Sequence, residues 1–401
     1  MTMTLENATA AVAAATPNGP PPDLTQAGPY GVVVVHDAIR VPRPGHYHPT
    51  KLRVTASAPA VAPAEPPLPG PPYPVVLLLN GFQARESQYT PFAERLASWG
   101  FLVLQYTAPA LSIVHDNIEL GFAGPVLEWL RSAAATETNA ALHGRADFRR
   151  LVVAGHSRGA KLAALHFAAA LARRAGVAAV GGAAAPPEPA HPYDIHAAFL
   201  MDPVDNTRAT QESASYPSAC RALAATGARV AIAGAGVIGA TNPEGSNWRR
   251  FWASAGPGSW LGVLPRAGHT KWLQGPSLEC WCLDRAFGGG AAARQVVLDA
   301  TSATMIGWFR QQLAEATADA AAGGGGGGAP RDPLAANGGG APGPLVAAAA
   351  VYGRRVEGCG SEGGGGGGVP DALGASLAPL IAAGELEFTT KGGATTSHPL
   401  T

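Results

Sequence analysis

The sequence predicts an α/β protein: a mostly parallel, doubly wound sheet with helices on both faces. Three observations predict it. Short aliphatic runs recur through the middle of the chain, and stretches with apolar residues at helical spacing separate them. Hydrophobic residues make up 47% of the chain against 14% charged, enough for a core on each side of a sheet. Strands buried on both faces read as unbroken apolar runs, and parallel neighbours need right-handed helical crossovers.

Residues 1–28 are rich in Ala, Pro, Thr and Asn without apolar periodicity, and read as a flexible N-terminal extension. Residues 30–36 and 51–56 read as strands, and the proline-dense stretch 58–74 as a connector with few ladder donors. Strand 75–79, helix 89–99 with Phe92, Leu96 and Trp99 on one stripe, and strand 101–106 follow. Helix 116–133, strand 151–154, helix 159–173 and strand 197–201 continue the alternation. It ends with helix 213–225, strands 229–233 and 260–264, and an amphipathic helix 295–313. The folded domain is thus expected over residues 29–320. Residues 321–401, with glycine tracts at 323–328 and 363–368, read as a Gly/Ala/Pro-rich low-complexity tail holding one apolar patch near 380–388.

Twenty-eight Lys and Arg balance 28 Asp and Glu, which argues against a nucleic-acid partner. No run approaches the ~20 apolar residues that cross a bilayer, so a soluble chain is expected, with peripheral membrane contact left open. The Ala-rich stretch 8–15 lacks a basic flank, and Arg40 is the first basic residue, so no signal or transit peptide is evident and the compartment stays open between chloroplast and cytosol. Cys220, Cys280, Cys282 and Cys359 are read as reduced thiols, since 280 and 282 are too close for a zinc-type pair. No metal or cofactor is expected.

Gly155-His156-Ser157-Arg158-Gly159 is a G-x-S-x-G pentapeptide between a predicted strand and a predicted helix. That context is the test for a nucleophile elbow, a strained turn that presents a serine above the sheet edge, and it points to the α/β-hydrolase fold. Small residues at 155 and 159 give the turn clearance. Ser157 is the candidate nucleophile. The N–H of Arg158, at a helix N-terminus, is a candidate oxyanion donor. The exit of strand 75–79 into Asn80-Gly81-Phe82 offers the N–H of Phe82 as the second.

A serine hydroxyl needs a base, and in this fold the order is Ser, acid, His. Of the histidines downstream, His166 lies on a helix, His191 and His196 precede a strand, and His398 sits in the tail. His269 alone follows the last predicted strand and is the candidate base. Asp202 follows strand 197–201 at the sheet edge where ligands gather, and Pro203 biases it toward extended backbone. It is the candidate acid; Asp205 stays open beside it, with Asp194 and Glu244 as weaker competitors.

With these residues placed, the sequence resembles the chlorophyllase family. The pentapeptide with its arginine, Asp202-Pro203-Val204, Asn242-Pro243-Glu244-Gly245-Ser246-Asn247 followed by Phe251, and Gly268-His269 carry the resemblance. Asn80-Gly81-Phe82, then Tyr89, and Ser98-Trp99-Gly100-Phe101 extend it upstream, for a span of about 30–313. Ala160 replaces a usual glycine, Asn80 a usual histidine, and 175–191 is an Ala- and Pro-rich insertion. The resemblance implies cofactor-free hydrolysis of the phytyl ester of chlorophyll to chlorophyllide and phytol. Phe82, Trp248, Phe251, Trp252 and Trp272 are then candidate lining for an apolar substrate groove. A different carboxylesterase or lipase, or a binding protein on the same fold, are the alternatives.

Overall fold

A computed structural model describes residues 3–4, 21–42, 49–60, 69–108, 114–176, 192–275, 277–323 and 370–392. Its strands are β1 (Met3–Thr4), β2 (Gly31–Val41), β3 (Thr50–Ala60), β4 (Tyr73–Leu79), β5 (Leu102–Thr107), β6 (Ala146–His156), β7 (Ile195–Met201), β8 (Ala231–Val237), β9 (Trp260–Gly268) and β10 (Glu387–Thr390). The main helices are α1 (Thr90–Ser98), α2 (Asp116–Glu119), α3 (Ala123–Ala135), α4 (Arg158–Arg174), α5 (Ala219–Thr226), α6 (Trp248–Ser254), α7 (Ser277–Phe287), α8 (Arg294–Gly323) and α9 (Asp371–Ala382).

One sheet holds every strand, in the order β1-β2-β3-β5-β4-β6-β7-β8-β9-β10. From β5 through β9 all neighbours run parallel, while β1, β2 and β3 at one edge and β10 at the other pair antiparallel. The period of two sorts side chains between the two faces. Val75, Leu77 and Leu79 face a core with α3, α4, α5 and α6, whereas Val76 and Leu78 face one with α1, α8 and α9. This is the doubly wound, two-faced sheet that the apolar runs predict.

The edges of the sheet depart from expectation. Strand β3 runs on to Ala60, beyond the expected start of the connector, because its 50–60 register pairs in full with β2. The expected helix 116–133 is split: α2 gives way to a 3₁₀ turn at Leu120–Phe122 before α3 begins. Pro125 lies in the first turn of α3, where its missing N–H is tolerated but a continuous helix would not be. Helix 213–225 begins only at Ala219, where the Ser218 hydroxyl accepts from the Arg221 N–H and caps it. Helices α6 and α7 are additional to the predicted elements.

The ends of the chain also take part. Within residues 21–28, Leu24 is buried and its N–H donates to Ser376 Oγ on α9 (2.8 Å). Leu373 and Leu377 of α9 and Leu386 before β10 are buried against α8 and β9. The Gly tracts beyond Gly323, residues 177–191 of the insertion with His191, and His398 and Cys359 lie outside the described residues. Cys220 and Cys280 are buried free thiols, Cys282 an exposed one, and burial pushes the Cys220 thiol pKa up, keeping it protonated. No helix among the described residues is long and apolar enough to cross a membrane.

Candidate active site

The turn between β6 and α4 places Ser157 with φ 57° and ψ −120°, a positive φ that only a well-supported turn holds for a non-glycine residue. The flanking glycines supply the support. A Cβ on Gly155 would lie 2.3 Å from the Gly159 carbonyl oxygen, and one on Gly159 would lie 2.3 Å from that of Leu79. Backbone bonds finish the turn: Ser157 N–H donates to Met201 O (2.9 Å), and Val204 N–H donates to Ser157 O (3.3 Å). The serine is thereby fastened to the end of β7, where the carboxylate sits.

The His269 imidazole lies between hydroxyl and carboxylate. Its Nε2 is 2.8 Å from Ser157 Oγ and its Nδ1 is 2.6 Å from Asp202 Oδ2. A carboxylate only accepts, so Nδ1 carries the proton and the Nε2 lone pair faces the serine O–H. Asp202 is fully buried. Its Oδ1 accepts from the Ala235 N–H (3.0 Å), and its Oδ2 also accepts from Asn242 Nδ2 (3.0 Å). The backbone of Asp202 is not extended as Pro203 suggested: φ is 36°. Its N–H donates to Ala233 O at 2.6 Å, and the two bonds to its carboxylate fix the rest, so local contacts override the dipeptide bias.

The alternatives are otherwise occupied. Asp205 accepts from Ser218 Oγ and the Ala219 N–H at the start of α5, and lies 3.6 Å from Lys161. Asp194 pairs with Arg174 (3.2 Å), and Glu244 is exposed. His196 contacts the Arg149 carbonyl, and His166 is buried along α4.

The two residues expected to supply oxyanion donors, Arg158 and Phe82, lie in the segments that flank Ser157. Arg158 is the first residue of α4, so its amide has no intrahelical acceptor. The turn 81–84 closes through Ala84 N–H to Gly81 O, with Gln83 at φ 57°. A Cβ on Gly81 would lie 3.5 Å from Ser157 Cβ and 3.1 Å from His156 Nδ1, so this turn packs directly on the serine and carries Phe82 to its side. The Phe82 ring is 54% exposed, with the Arg158 guanidinium 6.0 Å from its centroid.

The Arg158 side chain binds the segment before α3: Nε to Asp116 Oδ1 (2.6 Å), Nη2 to Val114 O (2.7 Å), and Nη1 to Glu119. Lys161, almost fully buried, completes the cluster with Asp116 (2.7 Å) and Asn206 Oδ1 (2.9 Å). These bonds anchor the segment 114–119 to the first turn of α4, directly after Ser157.

Of the five aromatic residues expected to line a groove, Trp248, Phe251, Trp252 and Trp272 are committed to packing instead. Phe251 and Trp272 are fully buried, and Trp272 Nε1 donates to Thr301 Oγ1 (3.0 Å). Trp248 Nε1 donates to Ala235 O (2.8 Å), and Trp252 lies under the Lys391 ammonium at 5.3 Å. Among the described residues the exposed aromatics are Phe82 and, on α7, Trp281 (62%) and Phe287 (44%). Helix α7 is tied to the turn after His269 by Thr270 Oγ1 to Asp284 (2.6 Å), and to the 85–88 turn by Glu279, which accepts from Arg85 and Gln88. The sequence missed Asn242, Tyr89 and His156. Asn242 and His156 stood inside motifs already quoted and Tyr89 at the start of a predicted helix, but no role was read from any of the three.

A family model described as chlorophyllase matches residues 38–322. The chain belongs to the chlorophyllase family. It is accordingly a carboxylic ester hydrolase of the α/β-hydrolase fold. No curated protein gives a significant match. Among solved structures, a ferulic acid esterase from Streptomyces cinnamoneus is 18% identical, covering 70% of this chain and 89% of its own, with a TM-score of 0.44. A protein assigned as a carboxylesterase from Lactobacillus plantarum is 15% identical, covering 55% and 82%, with a TM-score of 0.40. The matched span of the chlorophyllase model takes in β3 through α8 and with them every residue of the site just described.

Proposed function

We propose that this chlorophyllase-family protein cleaves the phytyl ester of chlorophyll or of a closely related pigment, with Ser157 as nucleophile, His269 as base and Asp202 as its orienting acid. The observation that carries the reading is the unbroken Ser157–His269–Asp202 hydrogen-bonded chain at the C-terminal edge of the sheet. In this reading Ser157 Oγ adds to the ester carbonyl carbon while its proton passes to His269 Nε2. Charge develops on the carbonyl oxygen, and the N–H groups of Phe82 and Arg158 receive it; one such donor is worth about 2.7–4 kcal/mol of barrier. Collapse breaks the bond to the phytol oxygen, which takes the proton from His269. Water, deprotonated by the same imidazole, then hydrolyses the acyl-enzyme to chlorophyllide.

A long isoprenoid alcohol and a flat macrocycle call for a broad apolar mouth rather than a closed pocket. The exposed rings of Phe82, on the turn packed against Ser157, and of Trp281 and Phe287, on the helix tied to the turn after His269, support that substrate class. Chromatography of chlorophyll a incubated with the wild-type protein should show chlorophyllide. Ser157→Ala should be folded, unreactive to a fluorophosphonate, and slower by at least about a thousandfold. Cleavage of short-chain esters with chlorophyll untouched would replace the pigment by another ester substrate. Unchanged turnover by Ser157→Ala would remove the mechanism.

A further inference from the structure

Beneath the serine runs a second chain of polar contacts that the hydrolytic mechanism does not use. His156, immediately before the nucleophile, is buried, with Nε2 3.1 Å from the backbone carbonyl of His269 and Nδ1 2.8 Å from the Tyr89 hydroxyl. Tyr89 is fully buried, and its oxygen accepts from the N–H of Gly81 (3.1 Å). Directions follow from the chemistry of the groups. A carbonyl only accepts, so His156 Nε2 carries the proton and Nδ1 offers a lone pair; the tyrosine O–H must then donate to Nδ1, leaving its oxygen free for Gly81. Every donor has an acceptor in one arrangement, and no other tautomer of a neutral ring satisfies it.

The chain begins on the turn that carries Phe82, passes under the serine, and ends on the backbone of the base. We infer that Tyr89 and His156 are positioning residues, which hold the Gly81–Phe82 turn and the His269 backbone in register with Ser157. This rests on the catalytic roles proposed above and adds to them.

Three further facts support it. Gly81 is so close to Tyr89 Oη and His156 Nδ1 that a Cβ would lie 3.0 and 3.1 Å from them, so the turn has no slack against the relay. The His156 ring packs against the ring of His269, 4.6 Å away and tilted 34°, and against Trp272, 6.1 Å away and nearly parallel at 20°. Burial, reinforced by His269, holds the His156 pKa well below the ordinary value, so no second positive charge competes with the imidazolium that forms on His269 during turnover. Burial also pushes the Tyr89 hydroxyl pKa far up, so its proton stays in place. A hydrogen-bonded pair in this dry location is directional, and a small displacement of a reacting group is costly.

The test separates positioning from simple support. Tyr89→Phe keeps the ring and removes the hydroxyl, stranding the Gly81 N–H and His156 Nδ1. His156→Leu removes both links, and His156→Gln restores a donor toward the His269 carbonyl and an acceptor toward Tyr89. Competent sites are counted by stoichiometric fluorophosphonate labelling, and kcat and KM are measured per labelled site. Tyr89→Phe should lower kcat by about ten- to a hundredfold with KM within about twofold, His156→Leu by at least as much, and His156→Gln should recover part of the loss. A wild-type kcat per competent site in both Tyr89→Phe and His156→Leu, even with a lowered melting temperature, would reduce the relay to packing and overturn the inference. If instead Ser157→Ala retains activity, the underlying catalytic reading fails, whatever the relay variants do.

Discussion

At the scale of single residues, the carboxylate is the most tightly specified group in the site. Asp202 accepts from Asn242 Nδ2, the Ala235 N–H and His269 Nδ1. Hydrogen bonds to a buried charge are worth about 1.5–3 kcal/mol each. Asn242→Ala should therefore leave the ion short of one donor, loosen the imidazole, and lower kcat by about ten- to a hundredfold; a kcat equal to wild type would show Asn242 to be a loop anchor only. Its second tie, Oδ1 accepting from the Gly239 N–H (2.7 Å), makes a companion Gly239 N–H perturbation the expected structural trace, visible as an amide shift. A different prediction concerns acid stability. Burial lowers the folded-state pKa of His156 and of His196 below their ordinary 6.5. As pH falls through about 6.5 the unfolded chain takes up protons that the native rings refuse, so stability present above that value is lost below it. Denaturant melts from pH 8 to pH 5 should show this loss, and His156→Gln should flatten it. An identical slope in the variant would mean that His156 does not carry the effect. The hydrogen-bonded trio of Ser157, His269 and Asp202 was legible in sequence, because each member follows a strand whose apolar run marks the sheet edge. Asn242, Tyr89 and His156 were not, because their surroundings are set by partners 40, 67 and 113 residues away along the chain, which no local pattern encodes.

At the scale of elements, legibility tracked how strongly periodicity was enforced by burial. The central strands, buried on both faces, appear where unbroken apolar runs stood: 75–79 within β4, 197–201 within β7, and 260–264 within β9. Strand β6 reaches back to Ala146, well before the expected 151, because Asp147 with Arg149 and Arg150 makes its outer half an ion-paired rim instead of a core run. The periodicity signal cannot see such a half-strand. Helix α6 was hidden for a related reason: its Trp and Phe residues read as a lining, yet Asn247 caps it by accepting from the Arg249 N–H, and Phe251 and Trp248 turn inward. Reading Asn247 as a helix start would have placed those rings in the core rather than a groove. The split of α2 from α3 has a functional side, since it leaves Asp116 and Glu119 in a short segment that Arg158 and Lys161 pin to α4. In the proposed mechanism the arginine after the nucleophile thus serves the site twice, with its N–H toward the developing charge and with its guanidinium on the segment 114–119.

At the scale of the whole molecule, the segment beyond the glycine tract decides how the fold ends. Strand β10 extends the sheet by pairing residues 387–390 with 263–260 of β9. Phe388 meets Trp260 edge-on at 5.7 Å, and Lys391 Nζ donates to the carbonyls of Trp252, Ala253 and Ala255, closing the C-terminal end of α6. Leu373, Leu377 and Leu386 are buried, and burying such a side chain is worth about 1.5–3 kcal/mol before the entropy of ordering the segment is subtracted. A chain truncated after residue 323 should consequently melt several degrees lower, since about 1 kcal/mol moves the midpoint of a domain this size by roughly 2–4 °C. Its kcat at low temperature should be retained. Truncation strips the strand pairing from the first half of β9 only, whereas His269 follows the last residue of that strand, and Ser157 and Asp202 stand at the ends of β6 and β7 farther inside the sheet. Thermal denaturation and turnover of the truncated chain, measured side by side, distinguish the cases: an unchanged midpoint would show the segment to be dispensable, and a folded but inactive truncation would place it in the machinery of the site.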